Sequence, residues 1–492
     1  MEYKMDLGAF VCEDGGQGEY VNGVLHFFIT GGAWPTLRFS LPNMKKYNSV
    51  SFSVKMTNVP SVSTVIHSKG RRAICGLRGI IKKREFCQGE WKQITWHYRK
   101  RPGWVTPSLE PFDFDGADAF DFTLDGRYSA GECWIKDVVF SEEDVLEQQD
   151  AEFEIFLKDH QQKDTLKGKK ALIWANSTAN DGCSVQSTID KFEYYKDLTG
   201  FDGLIMEITG EPKSDPFRDT IFTCEELNEE IFQTAIDAYK AHDWKHFKDN
   251  FIRMDIVGMA RFKNEDGSRR VLDWFDDDLF YGKIYPKLAR FIRALKEIGV
   301  SLAFDNEAYN DNPYDYYYKY KSSGKTFKEY EKQVRLRGKE IAETISREYP
   351  NATVLLLFGN WVVNLPKDED RYGLLPALLD GMCEANTSLK LIDGYEKGYD
   401  FTDYESVVKG IFECEKLTVK QSDIPELYSK TMHYGFGYWA RTSQEFRKAS
   451  LYPLFGTQEY VWYYTEVTPV DREDVHEYFL EISKEIERLK GI

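Results

Sequence analysis

The residues of this chain best suited to chemistry are carboxylates that directly follow apolar, strand-like runs. Asp305 and Glu307 come after one such run, two positions apart. Because side chains alternate along a strand, both leave the same side of it. Two carboxylates held close together disfavour simultaneous ionisation, so one of them stays protonated near neutral pH. A glutamic acid in that state can act as a general acid, and we therefore predict that Glu307 is the catalytic general acid/base, with Asp305 beside it.

A second pair of acids follows another apolar run. Asp393 and Glu396 flank a glycine that permits a tight turn. We predict that Glu396 is the partner carboxylate of Glu307, and that Asp305 and Asp393 tune the pair. Glu466, which ends a third apolar run, is the reserve candidate for the partner role.

The ends of the other apolar runs carry polar and aromatic side chains that could contact a substrate. An aromatic ring in such a position can stack on the apolar face of a pyranose, although core packing is the competing interpretation. The sequence has no serine-nucleophile elbow, no CxxC pair and no metal-like histidine cluster. We therefore predict hydrolysis by carboxylates, without a metal or other cofactor. The predicted substrate-binding residues are Asp393, Glu466, Trp462, Tyr309, Asn310, Trp174, Glu207, Asp255 and His433.

These residues need a scaffold that brings the ends of several strands together. Between residues 169 and 492, eight apolar runs alternate with amphipathic helical stretches, which is typical of parallel βα units. We predict an α/β fold, a (β/α)8 TIM barrel, in which function lies at the C-terminal ends of the strands. An open doubly wound sheet is the alternative, but no glycine-rich phosphate motif supports it. The runs are 171–176, 203–208, 251–257, 300–307, 353–359, 389–393, 432–439 and 460–466.

The first 145 residues have a different pattern. Short apolar runs alternate with turn residues, which predicts an all-β jelly-roll sandwich over 1–145. Residues 131–140 resemble the last strand of many carbohydrate-binding jelly rolls. We expect this domain to pack on the barrel or to bind glycan, a purely structural role being the alternative. Residues 146–168 are charged and glutamine-rich, and predict a helical linker.

The composition of the chain limits the kinds of partner that we expect for it. Acidic residues outnumber basic ones by 81 to 64, giving a net charge of −17, so we expect no nucleic-acid partner. The sequence contains no run of 18 apolar residues, so we expect no membrane span. Its first residues lack an apolar signal core, which predicts a cytoplasmic protein, or a secreted or periplasmic one if a leader was removed.

Several motifs resemble known glycosidases. The Asn306-Glu307 pair resembles the acid/base position of the clan of retaining (β/α)8 glycosidases, and the Asp305-x-Glu307 spacing resembles the end of the family 18 chitinase motif. Stretches 201–204, 304–309, 372–382 and 392–396 resemble poorly characterised bacterial glycosidase-like barrel proteins. This resemblance covers most of residues 165–470 and implies a glycosidase fold without indicating a substrate; we predict that the protein acts on an oligo- or polysaccharide.

The chain also departs from these families. The retaining clan places its nucleophile on strand seven, yet residues 432–439 contain no carboxylate. Leu302 and Ala303 lie where the chitinase motif has aspartates. We predict a glycoside hydrolase that uses Glu307 and Glu396 with retention of configuration. The alternatives are substrate-assisted hydrolysis of an N-acetylhexosaminide, with Asp305 orienting the acetamido group, and a non-catalytic polysaccharide-binding protein on a degenerate barrel.

Overall fold

The chain forms two compact units, Met1–Asp150 and Ala151–Ile492. The computed structural model describes residues 2–491 apart from 30–33, 58–61, 77–88, 90, 100–103, 107–111, 125–131, 143–147, 161–165, 176–182, 209–220, 224–225, 257–271, 309–311, 364–365, 441–443 and 467–471.

The described part of the first unit contains two antiparallel sheets. One has the order β3-β4-β12-β6-β9, with β1 also paired to β12, and the other has the order β10-β8-β7-β11-β5-β2. The prediction of an all-β sandwich is confirmed. The strands are β1 (Glu2–Lys4), β2 (Phe10–Glu13), β3 (Gly16–Val21), β4 (Val24–Ile29), β5 (Thr36–Ser40), β6 (Ser49–Thr57), β7 (Val62–Ser68), β8 (Arg71–Gly76), β9 (Lys92–Trp96), β10 (Trp104–Thr106), β11 (Ala119–Leu124) and β12 (Glu132–Ser141).

Apolar side chains at alternating positions of the strands form the core of this sandwich. Along β12, Cys133 and Ile135 are buried, and after a register shift so are Val138 and Phe140. The shift occurs at Asp137, whose φ is 55°. One extra residue in a strand changes which side chains face inward. The bulge therefore returns the second half of β12 to the core.

The described part of the second unit contains a nine-stranded parallel sheet that forms a nearly closed barrel with helices. Its order is β19-β18-β17-β16-β15-β14-β13-β21-β20. Each of the eight predicted runs overlaps a strand, and the seventh overlaps two. The strands are β13 (Lys170–Ala175), β14 (Gly203–Met206), β15 (Phe251–Asp255), β16 (Ser301–Asp305), β17 (Thr353–Leu356), β18 (Lys390–Asp393), β19 (Met432–Tyr434), β20 (Phe436–Trp439) and β21 (Tyr460–Thr465).

The seventh run is divided at Gly435. Its first half, β19, pairs with β18, whereas its second half, β20, pairs with β21. A Cβ atom at Gly435 would lie 2.7 Å from the carbonyl oxygen of Tyr460, so a larger residue would press on the backbone of the neighbouring segment. The two halves of this run thus bring the two ends of the sheet together.

The helices of the second unit follow the predicted amphipathic stretches. In α4, Leu288, Phe291, Ile292 and Leu295 form one buried face, and Gly299 ends the helix in the left-handed conformation with a φ of 69°. The described helices are α1 (Gln148–Asp159), α2 (Val185–Asp190), α3 (Glu229–Ala241), α4 (Tyr285–Ile298), α5 (Phe327–Glu348), α6 (Leu375–Glu384), α7 (Tyr404–Phe412), α8 (Pro425–Thr431), α9 (Gln444–Ala449), α10 (Tyr452–Gly456) and α11 (Glu473–Lys490). Shorter helical turns are Phe192–Tyr194, Asp277–Leu279, Phe280–Ile284, Tyr316–Tyr320, Lys321–Ser323, Asn360–Val362, Glu396–Asp400, Glu413–Leu417 and Thr418–Gln421.

Two glycines allow α5 and α6 to pack closely. A Cβ atom on Gly338 would overlap the carbonyl of Leu378, and one on Gly381 would overlap the carbonyl of Arg335. We expect Gly338→Ala to lower the free energy of unfolding by about 1–3 kcal/mol, because helices packed backbone to backbone must separate. Urea denaturation measures this change. Gly282→Ala is the matched control, since a Cβ atom there meets nothing within 4 Å; equal stability of the two variants would contradict the prediction.

Candidate active site

A buried arginine lies among three carboxylates at the C-terminal ends of strands β14 to β16. The Nε of Arg253 donates to Oδ2 of Asp305 over 2.9 Å, and it lies 2.9 Å from Oδ1 of Asp255. Its Nη1 is 3.6 Å from Oε1 of Glu207. All four residues are at most 6% exposed. Buried charges persist only when they are paired, so these residues depend on one another.

The strand register explains why these residues meet. Arg253 and Asp255 are two positions apart on β15, and Asp255 is the register partner of Asp305 on β16. Glu207 follows β14 directly, and its Oε1 accepts a hydrogen bond from the thiol of Cys183 over 3.1 Å. The sequence analysis predicted the three carboxylates as separate candidates. It did not predict that Arg253 would join them.

The backbone that carries Glu307 is fixed on both sides. Oδ1 of Asp305 accepts the backbone N–H of Glu307 over 3.0 Å. The amide of the fully buried Asn306 exchanges two hydrogen bonds with the backbone of Phe358, of 2.6 and 2.7 Å. Glu307 itself is half-buried. Both carboxylate oxygens of Asp305 are bonded within the protein, to Arg253 and to the backbone of Glu307. Its predicted part in catalysis, tuning the pair, stays a prediction.

Glu396 begins the turn that follows β18, Glu396–Asp400. The preceding residue, Tyr395, has a φ of 41°, an uncommon conformation for a residue with a side chain. Burial raises the pKa of Glu396 well above its ordinary value, and the negative charges of Glu307 and Asp305 raise it further. A hydrogen bond with Tyr399 opposes this shift. The charge of one predicted glutamate therefore acts on the ionisation of the other.

Asp393, predicted to tune the pair and to bind substrate, is buried and bonded within the protein. Its Oδ1 accepts the backbone N–H of Tyr395 over 2.9 Å and the indole N–H of Trp361 over 3.2 Å. Its Oδ2 lies against Gly359, where a Cβ atom would overlap it. Burial raises the pKa of Asp393 to about 7, against the effect of its two hydrogen bonds. Its bonds hold the turn that precedes Glu396, rather than Glu396 itself.

The raised pKa of Asp393 predicts a pH-dependent stability. A carboxyl whose pKa is raised by folding stabilises the protein in its protonated form, and this contribution is lost as pH rises through the folded-state pKa. We expect the free energy of unfolding to fall by roughly 2–4 kcal/mol between pH of about 4 and pH above 7. Asp393→Asn, which keeps the accepting oxygen, should remove this loss. Urea denaturation at a series of pH values measures it, and parallel pH curves for the two proteins would contradict the assignment.

Aromatic side chains line the region beside Glu396. The rings of Tyr399 and Tyr464 stack at 5.5 Å, and the ring of Trp439 lies 5.9 Å from that of Tyr399. All three are only partly buried, so they can present ring surface to a ligand. Tyr399 was missed by the sequence analysis because it lies in a turn, outside any apolar run. Its position three residues after Glu396 was the one available signal.

The two predicted tryptophans lie deeper than expected. Trp462 is fully buried, and its indole N–H donates to the carbonyl of Gly394 over 2.9 Å. Its ring is therefore not available to stack on a sugar, and that prediction is wrong. Trp174 is 4% exposed, and its ring lies 4.7 Å from the guanidinium of Arg253 and 5.1 Å from the ring of Tyr464.

The remaining candidates do not join the carboxylate pair. Glu466 is exposed after the end of β21. His433 is exposed on β19, opposite Ile392, so the prediction that it binds substrate is not supported by its position. Tyr309 and Asn310 lie outside the described residues.

Metal-binding and membrane-spanning features were sought in the described residues. There, no group of three or more histidine, cysteine, aspartate or glutamate side chains has a geometry that could hold a metal ion. Within the same part of the chain, no helix is both long enough and apolar enough to cross a bilayer.

Comparison with known proteins gives matches in the N-terminal region. No protein-family model and no curated protein matches the chain. A family 11 carbohydrate-binding module from Clostridium thermocellum, solved with a β-1,3-1,4-mixed-linked tetrasaccharide, is 16% identical, with a TM-score of 0.23 over 28% of this chain and 94% of the module. A family 30 module of a Clostridium thermocellum cellulosomal cellulase is 14% identical, with a TM-score of 0.21 over 29% of this chain and 92% of the module. A family 29 module is 14% identical, with a TM-score of 0.19 over 29% and 88%. Glycan binding by the first unit stays a prediction.

Proposed function

We propose that the second unit is a glycoside hydrolase whose catalytic pair is Glu307 and Glu396. One observation carries this proposal: two half-buried carboxyl groups follow β16 and β18, and the charge of Glu307 raises the pKa of Glu396. A pair of carboxyl groups with separated pKa values is what acid-assisted cleavage of a glycosidic bond needs. The partly exposed rings of Tyr399, Trp439 and Tyr464 lie beside the pair and suit a pyranose.

The electrostatics favours a division of roles opposite to the one inferred from sequence. Burial and two neighbouring negative charges keep the proton on Glu396, so Glu396 is the proposed general acid. Glu307, whose backbone is held by Asp305, is then the ionised partner. A carboxylic acid kept protonated beside an ionised carboxylate is the arrangement that general acid catalysis requires at neutral pH.

The proposed reaction has two steps. Glu396 donates its proton to the glycosidic oxygen while an oxygen of Glu307 attacks the anomeric carbon; the glycosidic bond breaks and the aglycone leaves as an alcohol. The Glu396 carboxylate then takes a proton from water, whose oxygen attacks the anomeric carbon and displaces Glu307. Both residues return to their starting protonation states.

This reaction predicts retention of anomeric configuration, because each step inverts the anomeric carbon once. Proton NMR of the first-formed product, recorded before mutarotation, reports the configuration directly. The opposite anomer would mean that Glu307 activates water instead of attacking the sugar, and the covalent step would be abandoned.

A panel of aryl glycosides in both anomeric forms tests the proposed function. Turnover of a substrate without an N-acetyl group supports the Glu307–Glu396 pair. Turnover confined to N-acetylhexosaminides would instead support substrate assistance, although both oxygens of Asp305 are already bonded. Binding of glycosides without turnover of any of them would favour a polysaccharide-binding protein.

A further inference from the structure

The backbone of Ala308, the residue that follows Glu307, is bonded to the side chain of Tyr372. The Tyr372 hydroxyl accepts the backbone N–H of Ala308 over 3.1 Å and donates to the carbonyl of the same residue over 2.9 Å. Nη2 of Arg371 donates to that carbonyl over 3.0 Å. Ala308 is 2% exposed, and buried backbone groups need such partners. The peptide after Glu307 is therefore held by the segment that follows β17.

Tyr372 is itself fixed by its neighbours. Its ring lies 5.4 Å from the ring of Phe358 and 5.9 Å from that of the fully buried Tyr314. Its backbone N–H donates to Oδ1 of Asp370 over 2.8 Å, which holds the turn that carries it. A side chain locked by packing and by the hydrogen bonds of its own turn can hold another residue precisely. Tyr372 therefore acts on Ala308 as a rigid anchor.

The contact with Tyr372 complements those on the other side of Glu307. Asp305 accepts the backbone N–H of Glu307, and Asn306 exchanges two hydrogen bonds with the backbone of Phe358. These contacts hold the chain on the N-terminal side of Glu307, and Tyr372 holds it on the C-terminal side. A backbone fixed on both sides leaves only the side-chain torsions of Glu307 to be ordered.

The charge of Glu307 is felt at the phenol of Tyr372. Burial raises the pKa of Tyr372 above its ordinary value, and the charge of Glu307 raises it further. The hydroxyl therefore keeps the proton that it donates to the carbonyl of Ala308. The two side chains lie near enough to interact, although the phenol is bonded to the backbone.

We propose that Tyr372 is a positioning residue for Glu307: its hydroxyl fixes the peptide at Ala308 so that the Glu307 carboxylate is aimed at the anomeric carbon. The inference rests on the proposed function, in which Glu307 attacks that carbon. Attack requires the reacting atoms to be aligned at close range, and a misplacement of about 1 Å can cost about 10²-fold in rate. In this role Tyr372 acts through the backbone that carries Glu307.

Steady-state kinetics of Tyr372→Phe tests this role, because the variant keeps the ring but loses both bonds to Ala308. We expect kcat to fall about 10–100-fold while KM stays within about threefold, since the attack is impaired and sugar binding is not. The loss should be equal for alkyl and dinitrophenyl glycosides, because departure of the leaving group is not affected. Unchanged kcat in the folded variant, or a change in KM alone, would overturn the inference.

Tyr463→Phe is the matched control. Tyr463 is fully buried on β21, and its hydroxyl donates to the carbonyl of Ser450 over 2.7 Å. Loss of that bond should leave kcat unchanged, and thermal unfolding of both variants checks the fold. An equal fall of kcat in the two variants would show that the loss of any buried tyrosine hydroxyl has this effect, and it would overturn the role of Tyr372.

Hydrogen exchange of the full chain, resolved to single amides, tests the contact without turnover. The Ala308 amide should be protected in the unmodified protein, and it should exchange at least about fivefold faster in Tyr372→Phe. The amides of Leu302 and Ala303 in β16 should keep their rates. An unprotected Ala308 amide in the unmodified protein would overturn the inference even if Tyr372→Phe fails to fold.

The inference and the proposed function fail in different ways. An unmodified protein that turns over no glycoside would reject the hydrolase proposal, and the role of Tyr372 with it. An active unmodified protein whose Tyr372→Phe variant is equally active would reject the role of Tyr372 alone.

Discussion

Glu307→Gln is expected to lower kcat/KM by about 10⁴-fold or more on every aryl glycoside that the protein cleaves. The amide cannot attack the anomeric carbon, so the loss does not depend on the leaving group. The fold should survive, because glutamine matches glutamate in size and the change removes a negative charge from an already acidic region. The variant should also bring the pKa of Glu396 closer to its ordinary range, since Glu307 is the largest charge that raises it.

Steady-state kinetics with a matched variant distinguishes Glu307 from Glu466 as the partner of Glu396. Glu466→Gln makes the same chemical change at an exposed residue after β21, and it should retain near-normal activity. Thermal unfolding of both variants checks the fold. A large loss in Glu466→Gln combined with an active Glu307→Gln would transfer the partner role to Glu466.

Glu396→Gln is expected to have an effect that depends on the leaving group. With alkyl or weakly acidic phenol leaving groups, which need a proton as the bond breaks, kcat/KM should fall by roughly 10²–10⁴-fold. With dinitrophenyl glycosides, whose leaving group departs without a proton, the first step should be much less affected. A plot of activity against leaving-group pKa for both proteins measures this difference. Equal losses across the series would show that Glu396 is not the acid.

The pH profile gives a second measure of the same residue. A general acid works in its protonated form, so activity is lost as pH rises through its pKa. Because the pKa of Glu396 is raised, the protonated form persists to higher pH than it would for an exposed glutamate. The alkaline limb of kcat/KM should therefore disappear in Glu396→Gln. An unchanged alkaline limb would assign it to another group.

The strands could be predicted because burial sets a simple pattern. In a parallel barrel both faces of the sheet are covered, so side chains on both sides of each strand are buried. The strands are therefore short continuous apolar runs bounded by polar residues. The run that ends at Asp305 is such a case, and it contains β16. The break at Gly435 could not be predicted in the same way. It depends on which neighbour each half of the strand pairs with, and that is a property of the closed sheet.

The site was only partly predictable, because the type of a residue and its position along the chain do not reveal how deeply its side chain is buried. Glu307 and Glu396 were found because each follows an apolar run directly. Trp462 was chosen as an aromatic residue within the run 460–466, yet it is fully buried and bonded to Gly394. Arg253 was the opposite case. Its position near the end of an apolar run does not reveal its partners, which become visible only when Asp305 on the next strand is placed beside it.

The pairing of β13 with β21 has a consequence for how the second unit folds. These strands join residues as far apart as Lys170 and Tyr460, 290 positions along the chain. Contacts so distant in sequence form late and slowly, because a long loop must close before they contribute. During synthesis, β13 therefore remains an unpaired edge until Tyr460–Thr465 has left the ribosome. An exposed edge strand is a template for association with other chains, so we expect a nascent or truncated chain lacking β21 to associate more readily than the complete second unit.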